Sequence, residues 1–316
     1  MQKIKIYKLN LTFKVSEDLR LPQFKGSIFH STFGNAFRRT VCVTRAKNCD
    51  GCQLKSSCSY ILVFETEMPP NDLPYLKNVA KAPHPYIINT ASELKTEYKK
   101  GDKITVELII IGDYIKMLPY FIYTFQQLGK RGIGSNKTKL DLLKVNNIIN
   151  KTEKKQIFDS TTNNIQLDVK PIKFSGQNNI QFPATLIIKF ISPLRLQLRG
   201  KVIQKREKIT PELFTEALLR RYNIVKHLFF KNKITDYSEL ENGLTIKHNN
   251  LIFKQFHRYS AKQKQEMKFG GLLGEMEIEI NSKKIMDMLI VCKELNIGKN
   301  VSFGMGKYTL EIKHPL

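Results

Sequence analysis

The alternation of apolar and polar residues changes its period several times along the chain, and each change marks a predicted element. Residues 9–15 alternate at every second position, which predicts a half-buried strand. Residues 26–39 carry phenylalanine at every fourth position, which predicts a helix with one apolar face. The elements predicted for the first 150 residues are strands at 4–15, 61–66, 103–111 and 142–149 and helices at 26–39 and 114–130. Residues 40–60 and 68–101 lack a period, and we expect them to be a cysteine-bearing insertion and an irregular arm.

The second half of the chain repeats this order of elements. Thr210 and Pro211 predict a helix start, because a hydroxyl cap is followed by proline at the first helical position. The other elements predicted there are strands at 184–191, 251–259, 272–280 and 307–312 and a helix at 285–295. Two βαββαβ units in tandem predict an α+β protein with ferredoxin-like domains at residues 1–150 and 165–316. The polar stretch 150–180 is predicted to be a linker or a hairpin.

Charge points to a class of partner that the fold alone does not indicate. The 316 residues include 52 lysines and arginines against 28 acidic residues, for a net charge of +24. Such an excess favours a polyanion, and nucleic acid first. A lysine-rich surface produced by AT-rich coding remains the alternative, because only 11 of the basic residues are arginine.

The sequence indicates a cytoplasmic protein without a membrane partner. Its first fifteen residues alternate charged and apolar side chains, whereas a signal peptide has an uninterrupted apolar segment there. The apolar stretch 106–125 is interrupted by glycine, aspartate, lysine and proline, so it does not predict a membrane span. In a reducing compartment the five cysteines are expected to be metal ligands or core residues.

Four of those cysteines lie close together in the sequence. The pattern Cys42-x6-Cys49-x2-Cys52-x5-Cys58 could supply a tetrahedral all-thiolate shell, and we predict a structural zinc ion there. An iron–sulfur cluster and four free thiols remain alternatives, although the spacing matches neither common ferredoxin pattern. Four ligands fill the shell, so no catalytic metal is predicted. Cys292 follows the apolar stripe of the last helix and is expected to lie in the core.

Two glycine-bearing stretches near the C-terminus combine features that suit phosphate contact. Glycines let the backbone approach an anion, and neighbouring lysines add positive charge. In residues 297–308 the candidates for RNA contact are Gly298, Lys299, Asn300, Ser302, Gly304, Gly306 and Lys307. In the basic stretch at 257–264 they are His257, Arg258, Tyr259, Lys262 and Gln263. Ordinary hairpin turns and a solvated strand end are the alternative interpretations.

The first predicted helix carries a third candidate group. His30, Gly34 and Arg38 stand at i, i+4 and i+8, so they share one ridge of the helix. The glycine would let a substrate strand approach the helix backbone. The imidazole could move a proton near pH 7, and the guanidinium could hold two phosphate oxygens. A surface histidine without a catalytic role is the alternative.

These segments, taken in order, resemble one family. The chain resembles the CRISPR precursor-RNA processing endoribonucleases of the RAMP superfamily, in a cysteine-containing bacterial-type subgroup. The segments that carry the resemblance are KGSIFHSTFGNAFRRTVC, CSYILVFET, PHPYII, LPYFIYTFQQLGKRGIG, RYSAKQKQEMKFGGLLGE and IGKNVSFGMGKY. The resemblance implies tandem ferredoxin-like domains, binding of CRISPR repeat RNA, and metal-independent cutting of precursor crRNA within the repeat. The products would be a cyclic phosphate and a 5′-hydroxyl end.

The resemblance also implies roles for individual residues. Relatives place the working histidine in or just after the first helix, often directly after the helix glycine, where this chain has Asn35. His30 is therefore the nearest replacement and His84 a second candidate, while slow relatives work without a histidine. The remaining predicted site residues are Arg38 and Arg39 on the scissile phosphate and Lys25 and Lys47 on the RNA.

Two other functions are compatible with the same pattern. A RAMP-type subunit of a CRISPR effector complex would hold crRNA without cutting it. A zinc-dependent nucleic-acid-modifying enzyme would need an open zinc position, and the H-x-E…P-C-x-x-C pattern of deaminases is absent from the sequence.

Overall fold

The computed structural model describes residues 4–68, 81–174, 180–260 and 265–313, and it describes side chains outside 257–268. These residues form two compact units. The N-terminal unit consists of Lys5–Ile88 and Glu93–Ile172, and the C-terminal unit is built mainly from Lys173–Leu316. The short segment Asn89–Ser92 belongs to the C-terminal unit.

The N-terminal unit is a five-stranded sheet with two long helices. Its strands are β1 (Ile6–Val15), β2 (Leu19–Arg20), β3 (Tyr86–Asn89), β4 (Glu97–Tyr98), β5 (Lys103–Ile111), β6 (Leu140–Ile148) and β7 (Lys154–Asp159), and its helices are α1 (Gly26–Val41) and α2 (Leu118–Arg131). The sheet order is β3-β5-β1-β6-β7, with β2 and β4 pairing separately. β1 runs antiparallel to both neighbours, and Leu11 lies opposite Val106 and Val145. This is the ferredoxin-like order with one strand added at the edge.

The C-terminal unit repeats the same topology. Its strands are β8 (Ala184–Leu194), β9 (Gln197–Leu198), β10 (Lys201–Val202), β11 (Leu244–Asn249), β12 (Ile252–Ser260), β13 (Gln265–Ile280) and β14 (Tyr308–Ile312), and its helices are α3 (Pro211–Phe230) and α4 (Lys283–Leu295). The sheet order is β11-β13-β8-β14, and the first half of β13 pairs with β12. The predicted α+β fold of two ferredoxin-like units is therefore confirmed.

Each unit has its own apolar core. In the N-terminal unit Phe33 of α1 stacks on Phe125 of α2 with ring centroids 4.7 Å apart. In the C-terminal unit Thr210 caps α3 as predicted, because its hydroxyl accepts a hydrogen bond from the Leu213 N–H at 3.3 Å. Cys292 is fully buried in the second core, as expected.

Two predicted local structures differ from those observed. The predicted strand at 61–66 is wrong, because Ile61–Glu65 forms a π-helix that buries the adjacent side chains Val63 and Phe64. A strand would send neighbours to opposite faces. The predicted irregular arm contains β3, whose apolar residues are fully buried, while its residues 69–80 lie outside the described part of the chain.

The N-terminal unit continues past the predicted boundary at residue 150. The polar stretch that follows contributes β7, which pairs with β6. Asn147 is fully buried, and its side chain bonds the Lys8 carbonyl and both backbone groups of Lys170. Ile172 N–H then donates to the Ile6 carbonyl at 2.8 Å. The polar composition of this stretch therefore did not reveal that it forms the edge strand β7 or that the buried Asn147 side chain fixes Lys170.

Candidate active site and RNA-contacting segments

The ridge of α1 predicted from the sequence lies under a cover made by two later segments. His30 is buried, with 9% of its surface exposed. Its Nε2 lies 3.0 Å from the Tyr86 hydroxyl and 3.3 Å from Nδ1 of His84. The three rings stack with centroid separations of 5.4–5.7 Å and interplanar angles of 11–22°. We call His30, His84 and Tyr86 the imidazole–tyrosine trio.

Burial shifts the pKa values of Tyr86 and His84. Tyr86 is fully buried, and burial raises the pKa of its hydroxyl well above the ordinary value. The pKa of His84 is lowered to about 4, mainly by burial. A hydrogen bond with the Phe64 backbone raises this pKa, and the nearby charge of Lys81 lowers it. His84 is therefore neutral at pH 7, and a neutral imidazole offers one N–H donor and one acceptor.

The space at Gly34 is filled by the protein itself. A Cβ at this position would lie 3.2 Å from Cε1 of Phe64, so the missing side chain lets that ring pack on the helix. The prediction that the glycine admits a substrate strand is therefore wrong. The Phe64 ring also lies 5.4 Å from the rings of both His84 and Tyr86.

Arg38 completes the covered ridge at its other end. Its Nη2 donates to the carbonyls of Ala46 at 2.7 Å and Lys47 at 3.0 Å, and its guanidinium lies 5.7 Å from the Tyr60 ring centre. Tyr60 stacks on Phe64 at 5.1 Å. In this arrangement Arg38 holds the start of the cysteine-bearing insertion, which is a positioning role that the sequence did not suggest.

The other predicted residues of the N-terminal unit differ in accessibility. Lys25 is fully buried, and its ammonium donates to the Glu93 carbonyl at 2.7 Å. Burial lowers its pKa, partly offset by the Glu93 charge. In this structure the ammonium of Lys25 is bonded within the protein, and its contact with RNA stays a prediction. Arg39, Lys47 and Asn35 are exposed.

The four cysteines of the insertion do not form a closed metal shell as placed. No group of three or more histidine, cysteine or acidic side chains in the described ranges has the geometry to hold a metal ion. Each of the four thiols is partly exposed. Cys42 lies 3.7 Å from the Thr44 hydroxyl, and that contact is the main cause of its lowered pKa. The arrangement does not fit a formed tetrahedral site, and the zinc ion stays a prediction.

Backbone N–H groups of the glycine segment 297–308 are hydrogen-bonded within the C-terminal unit. The N–H groups of Lys299, Gly304 and Gly306 donate to the carbonyls of Arg195, Val301 and Pro193 at 2.8–2.9 Å. A Cβ at Gly306 would lie 1.8 Å from the Ile297 carbonyl oxygen, so only glycine fits. These three N–H groups serve the fold, and RNA contact through this segment depends on its side chains.

Lys299 of that segment lies within the electrostatic influence of Arg220 on α3. Burial lowers the pKa of Lys299, and the nearby charge of Arg220 on α3 lowers it further. Two positive charges within reach of one another favour an anion between them. Asn300, Ser302 and Lys307 of the same segment are partly exposed. Arg195 is held away from this role, because its Nη1 donates to the Gly270 carbonyl at 2.8 Å.

The basic stretch at 257–264 is described only in its backbone. His257, Arg258 and Tyr259 belong to β12 and pair with Lys268, Met267 and Glu266 of β13. Lys262 and Gln263 lie outside the described residues. Their predicted contact with RNA therefore stays a prediction.

Sequence reasoning ranked His84 second and missed Tyr86, Phe64 and Arg220. The motif PHPYII, with two aromatic rings flanking a proline, was the available signal for the trio. No sequence signal pointed to Arg220, because a single arginine on a predicted helix is common. In the described part of the chain, no helix combines the length and apolar character needed to cross a membrane.

Comparison with known families assigns each half of the chain. Residues 4–170, more than half of the chain, match the AF_1859_N family of N-terminal domains. Residues 188–308 match the family described as CRISPR-associated endoribonuclease Cas6. An uncharacterized protein of Archaeoglobus fulgidus is 20% identical over 308 residues, covering 92% of both chains.

Solved structures share the fold of the whole chain. A Cas6 product complex aligns with a TM-score of 0.54 and 14% identity over 97% of this chain and all of that one. Thermus thermophilus Cas6 aligns with a TM-score of 0.51 and 12% identity, over 98% of this chain and all of that one. A chain of a partial Cas6-RT-Cas1–Cas2 complex aligns with a TM-score of 0.56 and 12% identity over 98% of this chain. This chain spans only 46% of that longer one. The chain therefore belongs to the AF_1859_N family, whose model covers more than half of it, and its C-terminal half matches the CRISPR-associated endoribonuclease Cas6 family.

Proposed function

We propose that the protein binds CRISPR repeat RNA and cuts the precursor transcript within the repeat without a catalytic metal. The observation that carries this proposal is the imidazole–tyrosine trio, whose His30 lies on α1, where the resembling endoribonucleases place their working histidine. His30 and His84 contact each other, and the buried Tyr86 hydroxyl lies within hydrogen-bond distance of His30. Proton transfer is the chemistry that such a pair supplies.

The reaction needs only proton carriers and positioning. The ribose 2′ oxygen bonds to phosphorus while the bond from phosphorus to the 5′ oxygen breaks. One proton leaves the 2′-hydroxyl and one arrives on the 5′ oxygen, so the products are a cyclic phosphate and a 5′-hydroxyl. A neutral imidazole can accept the first proton, and an imidazolium can give the second. Exposed Arg39 and Lys47 are the candidates for phosphate charge in this unit.

Binding strength is assigned to the C-terminal unit. Lys299 of the glycine segment is influenced by the charge of Arg220, and the basic β12–β13 hairpin belongs to the same unit. Cations that displace counterions make binding weaken steeply as salt rises. A CRISPR effector complex is the proposed destination of the processed RNA.

The zinc ion is proposed from the cysteine spacing alone. Its role would be to stabilise the insertion, since four thiolates leave no open position. Metal analysis of the purified protein should find about one zinc per chain by this argument. The double variant C49S/C52S should lose the metal and unfold locally. Metal-free wild-type protein together with a folded variant would rule the site out.

Cleavage of the host's own repeat RNA in EDTA tests the proposed function. We expect one cut within the repeat, with a cyclic phosphate and a 5′-hydroxyl at the mapped ends. An RNA carrying 2′-deoxyribose at the cut should bind and remain intact, because its nucleophile is missing. Retention of intact all-ribose RNA would instead identify a crRNA-holding subunit of an effector complex. Cleavage that EDTA abolishes would favour a metal-dependent enzyme.

A further inference from the structure

We infer that the outer face of α2 binds single-stranded RNA by stacking bases on Tyr120 and Tyr123. This surface belongs to the N-terminal unit, whereas the glycine segment and the hairpin belong to the C-terminal unit. The inference rests on the proposed function only in naming RNA as the ligand, and it adds a contact surface that the proposal does not contain.

The first observation is the exposure of two large rings. Tyr120 and Tyr123 are 46% and 49% exposed, whereas the other aromatic residues of the helix, Phe121 and Phe125, are fully buried. Within the described part of the chain, neither exposed ring stacks on another ring and neither hydroxyl has a hydrogen-bond partner. An exposed, unpartnered tyrosine pair offers flat apolar area without a fold requirement for it.

The second observation is the spacing. Five residues of α2 are spaced at i, i+3, i+7, i+10 and i+11, so they form one stripe along the helix. They are Tyr120, Tyr123, Gln127, Lys130 and Arg131. We call these residues the α2 stripe. The two rings are about 4.5 Å apart along the helix axis, and the cations lie about 10 Å beyond them. Neighbouring bases and the phosphates that follow them fit this order of aromatic, amide and cationic side chains.

The third observation is the sign of the charge on this layer. Neither α1 nor α2 contains an acidic residue, although together they carry Arg38, Arg39, Lys130 and Arg131. The adjoining turn contributes Asp113, which forms an ion pair with Lys116 at 3.8 Å. Surface helices ordinarily mix both signs, so an acid-free layer is complementary to a phosphate backbone.

Single-stranded RNA fits better than a duplex. Stacking requires bases whose faces are accessible, and paired bases in a helix present only their edges. A sequence-tolerant contact is expected, because every base has a flat face and the stripe offers one amide for hydrogen bonding. The surface would therefore hold an unpaired part of the transcript rather than a repeat hairpin.

Binding of a fluorescent oligoadenylate of about 12 nucleotides tests the inference, since single-strand sites span roughly 4–16 nucleotides. Y120A/Y123A should weaken this binding about tenfold or more, because two stacking platforms are lost. Y120F/Y123F is the matched control and should bind like wild type, because it keeps the rings. K130A/R131A should flatten the slope of log affinity against log salt by about 1.4, at about 0.7 per phosphate. A short RNA duplex should bind wild type, Y120A/Y123A and Y120F/Y123F equally, because its bases cannot stack on the rings.

Three results would overturn the inference. Equal oligoadenylate binding by wild type and Y120A/Y123A would show that the rings are not used. Equal loss in the alanine and phenylalanine variants would show that stacking is not the contact. A change of solution mass in Y120A/Y123A, measured by sedimentation, would identify a protein interface instead. Cleavage of repeat RNA in EDTA is measured on the same preparations, so failure of the proposed function would be seen separately.

Discussion

The two units share one topology and differ in what their helix layers carry. In the N-terminal unit α1 and α2 lack acidic residues and enclose the imidazole–tyrosine trio under Phe64. In the C-terminal unit α3 and α4 mix both signs, with Glu212 and Glu216 beside Arg220 and Arg221. Ferredoxin-like order thus fixes neither chemistry nor charge. Under the proposed function, the first unit would transfer protons and the second would supply much of the affinity for RNA.

The largest effect on stability is expected at Gly306 of the C-terminal unit, where an added Cβ would clash with the backbone of Ile297. G306A would place a Cβ 1.8 Å from the Ile297 carbonyl oxygen at a φ of +73°. We expect a loss of about 3 kcal/mol or more in the free energy of unfolding, from displaced backbone and a left-handed conformation. Urea unfolding measures it. G200A is the control, because its φ of +78° is similar but nothing lies within 4 Å; equal losses would show that packing of the segment is unimportant.

The half-buried imidazole of His84 in the N-terminal unit makes stability depend on pH. The pKa of His84 is about 4 in the folded protein and 6.5 in the unfolded chain, so the folded state binds fewer protons between these values. Its contribution is full above pH 6.5 and is lost as pH falls towards 4, by at most about 3 kcal/mol. The difference in free energy of unfolding between wild type and His84→Gln should therefore shift against wild type on acidification. A difference that does not change between pH 7.5 and 5 would contradict the buried environment of this ring.

The cation pair of the C-terminal unit should affect affinity without affecting chemistry. R220A/K299A should weaken repeat-RNA binding about tenfold at moderate salt, with a salt slope flatter by about 1.4–1.8. The single-turnover rate at saturating protein should stay within about twofold, because neither cation belongs to the trio. Filter binding and quenched cleavage measure the two quantities. A lower rate with unchanged affinity would reverse the assignment of the two units.

The smallest effect is expected at the glycine of the N-terminal ridge. In G34A the Cβ meets only the edge of the Phe64 ring, and alanine favours the helix by about 1 kcal/mol over glycine. We expect the free energy of unfolding to change by less than about 1 kcal/mol. G129A on α2 is the control, because its Cβ would lie 2.1 Å from the Leu140 carbonyl oxygen. Similar losses in both variants would mean that Phe64 cannot move.

Periodicity predicted the repeated topology because regular elements express their burial in local sequence. The strand β5 and the helix α3 with its Thr210 cap are examples. The short apolar run at 61–66 was wrongly predicted to be a strand, because such runs are equally typical of a strand and of a buried helix, and Ile61–Glu65 is helical.

The candidate site was harder to predict, because its contacts join residues far apart in the sequence. His30 meets His84 and Tyr86 across 54 and 56 positions. The i, i+4, i+8 spacing identified the ridge correctly but could not show that Phe64 covers it. The burial of Lys25 by a carbonyl 68 residues away was equally invisible.

Single-turnover cleavage of repeat RNA by His30→Ala is the most direct test of the central claim. We predict a rate at least about tenfold below wild type, the lower part of the range for lost acid–base catalysis or positioning. The affinity for the uncut RNA should stay within a few fold, because binding is assigned to other surfaces. Equal rates for the variant and wild type in EDTA would remove the imidazole–tyrosine trio from the mechanism.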